Sequence, residues 1–379
     1  MSILPDFRLE TYLAKWEFAA RYHLTASDAE SISLADLLAL AEPHDREAFE
    51  QLWLGYLPPV GTRELRAAIA STYESVTDDQ ILTFAGGGEA IYVATYALLE
   101  YGDHAIVVTP TYQSLETLAL SLCAVTGVAL DATRKWGLDL DRVRAAIRPN
   151  TKLLVVNFPN NPTGKILASA DFARLIEVCR EHGLWLLSDE IYRLMERDPA
   201  MRQSAAVDRY ERALSVSVMS KVYGLPGLRI GWIATRDRHL LQRMEKIKHY
   251  LSICNSAPSE ALAVIALKAS DRILDRNRGL IEANLPRIAQ LFAEFPTLFE
   301  WETPDGRTVG YPRYKGSDGV EVFTRRLVEE ASVLLLPASI FHSELTPLPA
   351  DRFRIGFGRS SVPAGLDVMR DWLRRNTHS

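Results

Sequence analysis

The sequence contains little cysteine, no excess of basic charge and no long hydrophobic run. Its 379 residues include 3 cysteines, Cys123, Cys179 and Cys254. Because their number is odd, their spacing is wide and none forms a CxxC pair, the sequence predicts reduced thiols in a cytosolic protein. A membrane-spanning helix needs about 18 or more consecutive apolar residues, and the chain has no such run. The charged first residues also lack the apolar core of a signal peptide.

The charge balance argues against nucleic acid as a partner. The chain has 43 Lys and Arg against 48 Asp and Glu, a formal net charge of −5, with both signs interleaved throughout. A nucleic-acid-binding surface requires clustered basic residues, which are missing. We also predict no metal site. The 47% apolar content is enough for a large core, and the length predicts two domains.

From about residue 60, short apolar runs alternate with segments of helical spacing. The predicted strands are Ile81–Phe84, Ala105–Thr109, Val125–Leu130, Leu153–Asn157, Leu184–Ser188, Ala213–Val218 and Ile230–Thr235. Glu89–Leu99 and Asp171–His182 are examples of the predicted helices between them. Near-continuous apolar strands that alternate with helices predict an α/β fold with a mostly parallel sheet covered on both faces.

The sequence pattern changes after about residue 260, where long amphipathic helices are predicted, followed by a short α+β region. We predict a large domain over residues 46–265. We also predict a smaller α+β domain that both ends of the chain form together, residues 1–45 and 266–379.

Five of the predicted strands run into polar or special residues. The motifs are AGGGEAIY after Phe84, PTYQS after Thr109, FPNNPTG after Asn157, SDEIY after Leu187 and MSK after Val218. In open α/β sheets, ligands bind beyond the carboxyl ends of the strands. The motifs therefore predict one binding site at this edge of the sheet.

Two of these features suit a phosphate group. Gly86, Gly87 and Gly88 precede a predicted helix, whose first N–H groups and dipole attract anions. The spacing is neither G-x-G-x-x-G nor a P-loop, which favours a small phosphate ester over a nucleotide. Arg229 could grip the same phosphate through two parallel hydrogen bonds. A tight structural turn and a surface ion pair are the simpler alternatives.

Three further side chains complete a recognisable set. Asp189 ends an apolar strand and needs a cationic partner, such as a protonated ring nitrogen, unless it caps a helix. Tyr112 could stack on a planar ring or fill the core. Lys221 follows a strand, where it either extends its head to water or reacts with an aldehyde. The sequence thus offers residues that could bind a phosphate, a flat ring and a cationic ring nitrogen, together with a lysine amine. This combination predicts a pyridoxal 5′-phosphate (PLP) site.

At this point the sequence resembles the class I/II aminotransferases, the aspartate-aminotransferase-like branch of the fold-type I PLP enzymes. Three motifs carry the resemblance: NNPTG (Asn160–Gly164), SDEIY (Ser188–Tyr192) and SKVYGLPGLRIG (Ser220–Gly231). It extends from about Tyr56 to Arg354. The resemblance implies the fold-type I architecture, a seven-stranded sheet, a homodimer and a cytoplasmic enzyme of amino acid metabolism.

The resemblance also implies residue roles. Lys221 is the Schiff-base lysine and moves the proton, Asp189 pairs with the pyridine nitrogen, and Asn161 and Tyr192 bind the ring 3-oxygen. Tyr112 stacks on the ring. The phosphate contacts are assigned to Gly87, Gly88, Ser220, Arg229 and, from the neighbouring subunit, Tyr56. In FRIGF, Arg354 binds the substrate α-carboxylate, and Asn161 is a second substrate-binding residue.

The sequence departs from the family pattern at three places. Val218 stands where a phosphate-binding serine is common, and Gly88 where a hydroxyl residue is common. Residues 26–34, ASDAESISL, lack the glycine that the family usually has near the substrate carboxylate. Substrate recognition can therefore not be copied from a well-known member.

The predicted function is transfer of an α-amino group from an amino acid to a 2-oxo acid. One alternative is a PLP-dependent lyase, cyclase or oxidase, because KWEF (Lys15–Phe18) is similar to the start of capreomycidine-synthase-like enzymes of arginine derivatives. Glu17 could then meet a guanidinium, or Trp16 and Glu17 could simply cover a domain interface. A remote alternative is a non-catalytic PLP- or effector-binding module.

Overall fold

A computed structural model describes residues 4–306 and 308–376, and the ends of the predicted small domain at residues 1–3 and 377–379 lie outside this range. The strands are β1 (Tyr22–His23), β2 (Ile81–Phe84), β3 (His104–Thr109), β4 (Ala124–Ala129), β5 (Thr151–Asn157), β6 (Trp185–Asp189), β7 (Ala213–Val218), β8 (Gly231–Ala234), β9 (Phe299–Glu300), β10 (Val309–Gly310), β11 (Arg313–Tyr314), β12 (Val333–Leu334), β13 (Leu336–Pro337) and β14 (Phe353–Gly356).

The helices surround these strands. They are α1 (Arg8–Trp16), α2 (Leu34–Leu38), α3 (Pro43–Glu50), α4 (Arg63–Ala70), α5 (Gly87–Leu98), α6 (Gln113–Leu120), α7 (Leu140–Ala146), α8 (Ser169–His182), α9 (Ala206–Arg209), α10 (Arg238–Lys248), α11 (Ala257–Lys268), α12 (Ser270–Glu294), α13 (Val320–Ala331) and α14 (Val362–Asn376). No helix in the described ranges is both long and apolar enough to cross a membrane.

The central sheet has seven strands in the order β2-β8-β7-β6-β5-β3-β4. Strand β8 is antiparallel to β2 and β7, and the other neighbours are parallel. All seven predicted strands are present, with boundaries within two residues of the prediction. The predicted mostly parallel α/β sheet is therefore confirmed.

Burial on both faces explains why these strands are almost continuously apolar. In β5, Leu154 and Val156 pack with residues of α7 and α8, whereas Leu153 and Val155 pack with residues of α5, α6 and α10. Because side chains alternate across a strand, a sheet with helices on both faces requires apolar residues at every position. Polar residues are left for the strand ends.

Both ends of the chain meet in smaller sheets beside the central one. Strand β1, near the amino terminus, pairs in parallel with β12, and β14 lies between β10 and β13. The backbone N–H of Gly356 donates to the carbonyl of Leu24 at 2.9 Å. A Cβ atom on Gly356 would lie 1.8 Å from the carbonyl oxygen of Ala26, so glycine permits this close approach. The amino-terminal segment is therefore fixed against β14.

Candidate active site

The carboxyl ends of three neighbouring strands bring the predicted site together. Asn157 at the end of β5 lies opposite Asp189 at the end of β6, and Asp189 lies opposite Val216 in β7. Lys221 follows three residues after the end of β7. Parallel strands direct these ends to one edge of the sheet, as the sequence predicts.

Asp189 is a fully buried carboxylate with an unsatisfied oxygen. Its side chain is 0% exposed; Oδ1 accepts a hydrogen bond from the backbone N–H of Ile191 at 3.3 Å, and Oδ2 has no partner among the described residues. Burial raises the pKa of Asp189 to about 7, although the nearby Lys221 lowers it. Such a group is stabilised by a ligand that brings a positive charge or an N–H donor.

Lys221 lies half-buried at the same edge. Its ammonium donates a hydrogen bond to the hydroxyl of Ser27 at 3.0 Å, and its backbone carbonyl accepts from the N–H of Ala29 at 3.1 Å. Both contacts come from the amino-terminal segment, about 190 residues earlier in the chain. The lysine thus lies where the sheet edge meets that segment.

The glycine turn forms a narrow cradle at the start of α5. Gly86 precedes the helix with φ of 101°, a conformation that favours glycine. A Cβ atom on Gly86 would lie 2.5 Å from Nη2 of Arg229, and one on Gly87 would lie 2.9 Å from Cγ1 of Val218. Backbone N–H groups of the first helical turn, the helix dipole and the Arg229 guanidinium therefore converge on one small volume, a setting that suits a phosphate.

Arg354 and Asn161 are bound to each other. Arg354 is 2% exposed; its Nη1 donates to Oδ1 of Asn161 at 2.9 Å, and its Nη2 donates to the carbonyl of Thr25 at 2.8 Å. No carboxylate lies within ion-pair distance of Arg354 in residues 4–306 and 308–376, and burial lowers the pKa of its guanidinium. Among the described residues, the arginine is therefore a buried cation that contacts neutral oxygens and the ring of Phe341, 5.5 Å from its centroid, but no anion.

Two tyrosines line the space between Asp189 and Arg354. Tyr192 is 2% exposed and interacts electrostatically with both Tyr112 and Arg354. Burial raises the pKa of the Tyr112 hydroxyl, and the carboxylate of Glu10 raises it further. That hydroxyl approaches Oε1 of Glu10 at 3.4 Å. Glu10 thus carries an acidic group to the mouth of the site.

Other predicted site residues are less closely joined to this group. Ser220 is adjacent to Lys221 and half-buried. Tyr56 is 83% exposed, as a residue that acts on a neighbouring subunit would be in a single chain. Glu17 is exposed at the end of α1, where its backbone carbonyl bonds with the imidazole of His23. The structure brings Glu10, rather than Glu17, to the tyrosines.

The residues present fit PLP at each of its recognition points. The orphan Oδ2 of Asp189 matches the ring nitrogen, the glycine cradle with Arg229 matches the phosphate, and the amine of Lys221 matches the aldehyde. Val218 presents a methyl group to the cradle in place of a hydroxyl, so a phosphate there would depend on the backbone N–H groups and Arg229, with Ser220 predicted to contribute as well.

Sequence reasoning missed Ser27, Thr25 and Glu10. Their partners Lys221, Arg354 and Tyr112 lie 194, 329 and 102 residues away in the chain. No spacing rule links residues that far apart. The missing glycine in residues 26–34 indicated only that this segment departs from the family pattern.

Comparison with known proteins agrees with this geometry. The profile described as aminotransferase class I and II matches residues 29–365. The chain belongs to the class I and II aminotransferase family. It is 30% identical to capreomycidine synthase of Streptomyces vinaceus, over 99% of this chain and 95% of that protein. It is 29% identical to an aspartate aminotransferase of Streptomyces avermitilis, over 76% of this chain and 74% of that protein.

A solved structure of a PLP-dependent aminotransferase from Streptococcus suis superposes on this family member with a TM-score of 0.91 and 30% identity, covering 99% of both chains. The fold-type I architecture, the PLP cofactor and the aminotransferase class that the sequence predicted are confirmed. The remote alternative of a non-catalytic module has no support in these likenesses.

Proposed function

We propose that this aminotransferase moves the α-amino group of an amino acid to a 2-oxo acid at the edge of the sheet formed by Lys221, Asp189 and Arg354. The observation that carries the proposal is the pair of buried, uncompensated groups of opposite sign. Asp189 is suited to a protonated ring nitrogen, and Arg354 to an α-carboxylate. PLP and an amino acid supply both charges together.

The residue roles follow from what each group can do chemically. Bound PLP supplies an aldehyde that takes up the amino group and a ring that withdraws electrons from the Cα–H bond. Oδ2 of Asp189, which lacks a partner among the described residues, would accept a hydrogen bond from the ring nitrogen and favour its protonated form. Gly87, Gly88, Ser220 and Arg229 would hold the phosphate, Tyr112 would cover the ring face, and Asn161 and Tyr192 would donate to the ring 3-oxygen.

Lys221 moves the proton. The amine of Lys221 would serve as the base that takes the proton from the substrate Cα and returns it during the transfer, because its flexible side chain lies at the same edge of the sheet as Asp189. Arg354 fixes the substrate through two parallel hydrogen bonds to its carboxylate, which orients the Cα–H bond toward the lysine. The tyrosines and the amino-terminal segment keep bulk water from this space.

A half-reaction assay tests the proposal. Purified protein loaded with PLP is mixed with single amino acids, and the conversion of PLP to pyridoxamine phosphate is followed by absorbance and chromatography. We expect a 2-oxo acid to appear in equal amount to pyridoxamine phosphate. Consumption of amino acid with no pyridoxamine phosphate would reject transamination.

A second candidate is a cyclisation or elimination on an amino acid with a cationic side chain. It is favoured by Glu10, a carboxylate at the mouth beside Tyr112, and by the similarity to capreomycidine synthase along 99% of the chain. The same assay separates the two functions, because this reaction returns PLP unchanged while a modified amino acid accumulates. Glu10→Gln should then weaken binding of the cationic substrate, whereas Glu17→Gln is the matched control.

We propose a homodimer in which Tyr56 reaches the phosphate of the neighbouring site. An exposed apolar surface supports it, made by Trp53, Leu54 and Tyr56 together with Tyr250 and Ile253. The exposed residues near 53–56 and near 250–253 come from segments that are joined by a hydrogen bond. The ammonium of Lys248 donates it to the carbonyl of Pro59 at 2.5 Å. Large exposed apolar patches mark interaction surfaces.

Hybrid dimers test the role of Tyr56 across the interface. Lys221→Ala and Tyr56→Ala subunits are each expected to be inactive or weak alone. After mixing and subunit exchange, one site of each hybrid has both native residues, so activity should return to about one quarter of the wild-type value at equal mixing. Recovery of none, with exchange shown by mass spectrometry, would place Tyr56 in its own subunit.

The division into residues 46–265 and a second domain formed by both ends of the chain is also proposed. The pairing of β1 with β12, and the contact of Leu24 with β14, support a joint small domain. A cytosolic location remains a prediction, consistent with three unpaired cysteines.

A further inference from the structure

The amino-terminal segment from Leu24 to Glu30 lies between the lysine loop and β14. On one side, the N–H of Ala29 and the hydroxyl of Ser27 bond to Lys221. On the other side, the carbonyl of Thr25 accepts from Arg354. One short segment therefore contacts both the catalytic lysine and the proposed carboxylate receptor.

The segment is fixed at both of its ends. Leu24 bonds to the backbone of β14, and the carboxylate of Asp28 forms an ion pair with Nη2 of Arg359 at 2.6 Å. A Cβ atom on Gly224 would lie 2.7 Å from the carbonyl oxygen of Glu30, which shows how closely the lysine loop packs against it. Ser27, between these anchors, has little freedom to move.

Ser27 is the side chain that holds the amine of Lys221. Ser27 is 6% exposed, and its hydroxyl oxygen lies 3.0 Å from Nζ. Within residues 4–306 and 308–376, Nζ forms no other hydrogen bond and no ion pair. A lysine side chain carries about 2 kcal/mol of rotamer entropy, so one buried acceptor decides where its amine points.

We propose that Ser27 is a positioning residue for Lys221, a role that rests on the proposed function. Its hydroxyl accepts from Nζ and keeps the amine over the edge of the sheet while the amine is free, before it reacts with PLP and again while it moves the substrate proton. Because Thr25, two residues away, holds Arg354, the same segment sets the distance between the base and the substrate carboxylate. No bond to Ser27 forms or breaks in this role beyond the hydrogen bond.

Three variants test the proposal: Ser27→Ala removes the acceptor, Ser27→Thr keeps a hydroxyl, and Ser31→Ala is the control. Ser31 is exposed one residue beyond this segment, and its hydroxyl forms no hydrogen bond with the described residues. The first measurement uses the PLP-free protein and follows the association rate constant with PLP. The second follows the half-reaction with amino acid that carries hydrogen or deuterium at Cα.

We expect Ser27→Ala to slow both PLP association and the half-reaction by about tenfold, the loss typical of one hydrogen bond to a charged group. The deuterium isotope effect should rise, because proton transfer becomes more fully rate-limiting, while the KM set by Arg354 stays unchanged. Ser27→Thr should recover most of both rates, and Ser31→Ala should behave as wild type.

The proposal would be overturned if Ser27→Ala had the wild-type rate constant for PLP association and the wild-type deuterium isotope effect. Equal loss in Ser27→Ala and Ser27→Thr would also overturn it, because side-chain size rather than the hydroxyl would then matter. These outcomes are distinct from failure of the proposed function. That failure would appear in the wild-type protein as amino acid consumed without formation of pyridoxamine phosphate, whatever the variants do.

Discussion

The cofactor end and the substrate end of the site each hold a buried charge, but of opposite sign. At the cofactor end, one oxygen of Asp189 has no partner in the part of the chain that the structure describes, and burial raises the pKa of this carboxyl group to about 7. At the substrate end, Arg354 donates hydrogen bonds to the oxygens of Asn161 and Thr25, has no carboxylate partner in residues 4–306 and 308–376, and burial lowers its pKa. Neither group is neutralised by the other.

The difference in sign indicates what each end binds. A buried charge without a counter-ion costs several kcal/mol, so it persists where a ligand supplies the opposite charge. A protonated ring nitrogen completes the cofactor end, and a carboxylate completes the substrate end. A substitution at the cofactor end should therefore change the reaction rate or cofactor binding. A substitution at the substrate end should change substrate affinity.

The largest effect is expected at the cofactor end. Asp189→Asn keeps a similar shape but removes the anion that holds the ring proton. Proton abstraction should slow by about three orders of magnitude, about 4 kcal/mol of barrier. Stopped-flow absorbance of the half-reaction measures it. A variant within tenfold of the wild-type rate would show that the carboxylate has no part in activating the substrate.

The same carboxylate should make the stability of the PLP-free protein depend on pH. Because the folded-state pKa of about 7 lies above the ordinary value of 3.8, the folded state binds the proton more tightly. Its contribution to stability is fully present below pH 4 and is lost as the pH rises through 7. Relative to Asp189→Asn, the wild type should lose on the order of 2–4 kcal/mol between pH 4 and pH 8.

Urea unfolding of both PLP-free proteins at several pH values measures this difference. Parallel stability curves for wild type and Asp189→Asn would mean that Asp189 is not the buried, proton-binding group described above. Addition of PLP near pH 8 should make the wild type more stable than Asp189→Asn, because the ligand then supplies the positive partner that the carboxylate lacks.

At the substrate end, a smaller and different effect is expected. Arg354→Lys keeps the charge but loses the two parallel hydrogen bonds. The KM for amino acid and 2-oxo acid should both rise, by about tenfold to a hundredfold, a loss of about 1.4–2.8 kcal/mol. The absorbance spectrum of the bound cofactor should not change.

Arg352→Lys is the matched control, because Arg352 lies two residues before Arg354 and bonds instead to the carbonyl of Tyr311. Steady-state kinetics of both variants decide the assignment. If Arg352→Lys raised KM and Arg354→Lys did not, the carboxylate receptor would be assigned to the wrong residue of this segment.

The smallest expected effect sharpens the description of the cofactor end. Val218 contacts the glycine cradle with a methyl group. Val218→Ser offers a hydroxyl to the phosphate and should tighten PLP binding by about threefold, less than 1 kcal/mol. Equilibrium titration of the PLP-free protein with PLP measures it. Weaker binding would mean that the methyl group is needed to pack the turn.

The two ends also differ in how far sequence alone predicts them. The cofactor end could be predicted because Asp189, Asn161 and Lys221 each stand at or just after a strand, and parallel strands bring their ends together. The observed strand β6 ends at Asp189, one residue later than the predicted strand, and this shift leaves the carboxylate at the same edge of the sheet.

The substrate end depends on contacts that no local pattern specifies. The sequence marked Arg354 through the family resemblance, but not its bonds to Thr25 and Asn161. Ser27 and Glu10 were not identified, because packing of the chain ends brings them to Lys221 and Tyr112. Glu17 was marked by a short motif, and the fold leaves it exposed.

Borohydride reduction tests the central claim, that Lys221 is the lysine that binds PLP at this edge. The protein is loaded with PLP, reduced and digested, and the labelled peptide is sequenced by mass spectrometry. The account predicts a single label, on Lys221, and loss of the label and of the yellow colour in Lys221→Ala. A label on another lysine, such as the buried Lys248, or no label after loading with PLP, would contradict it.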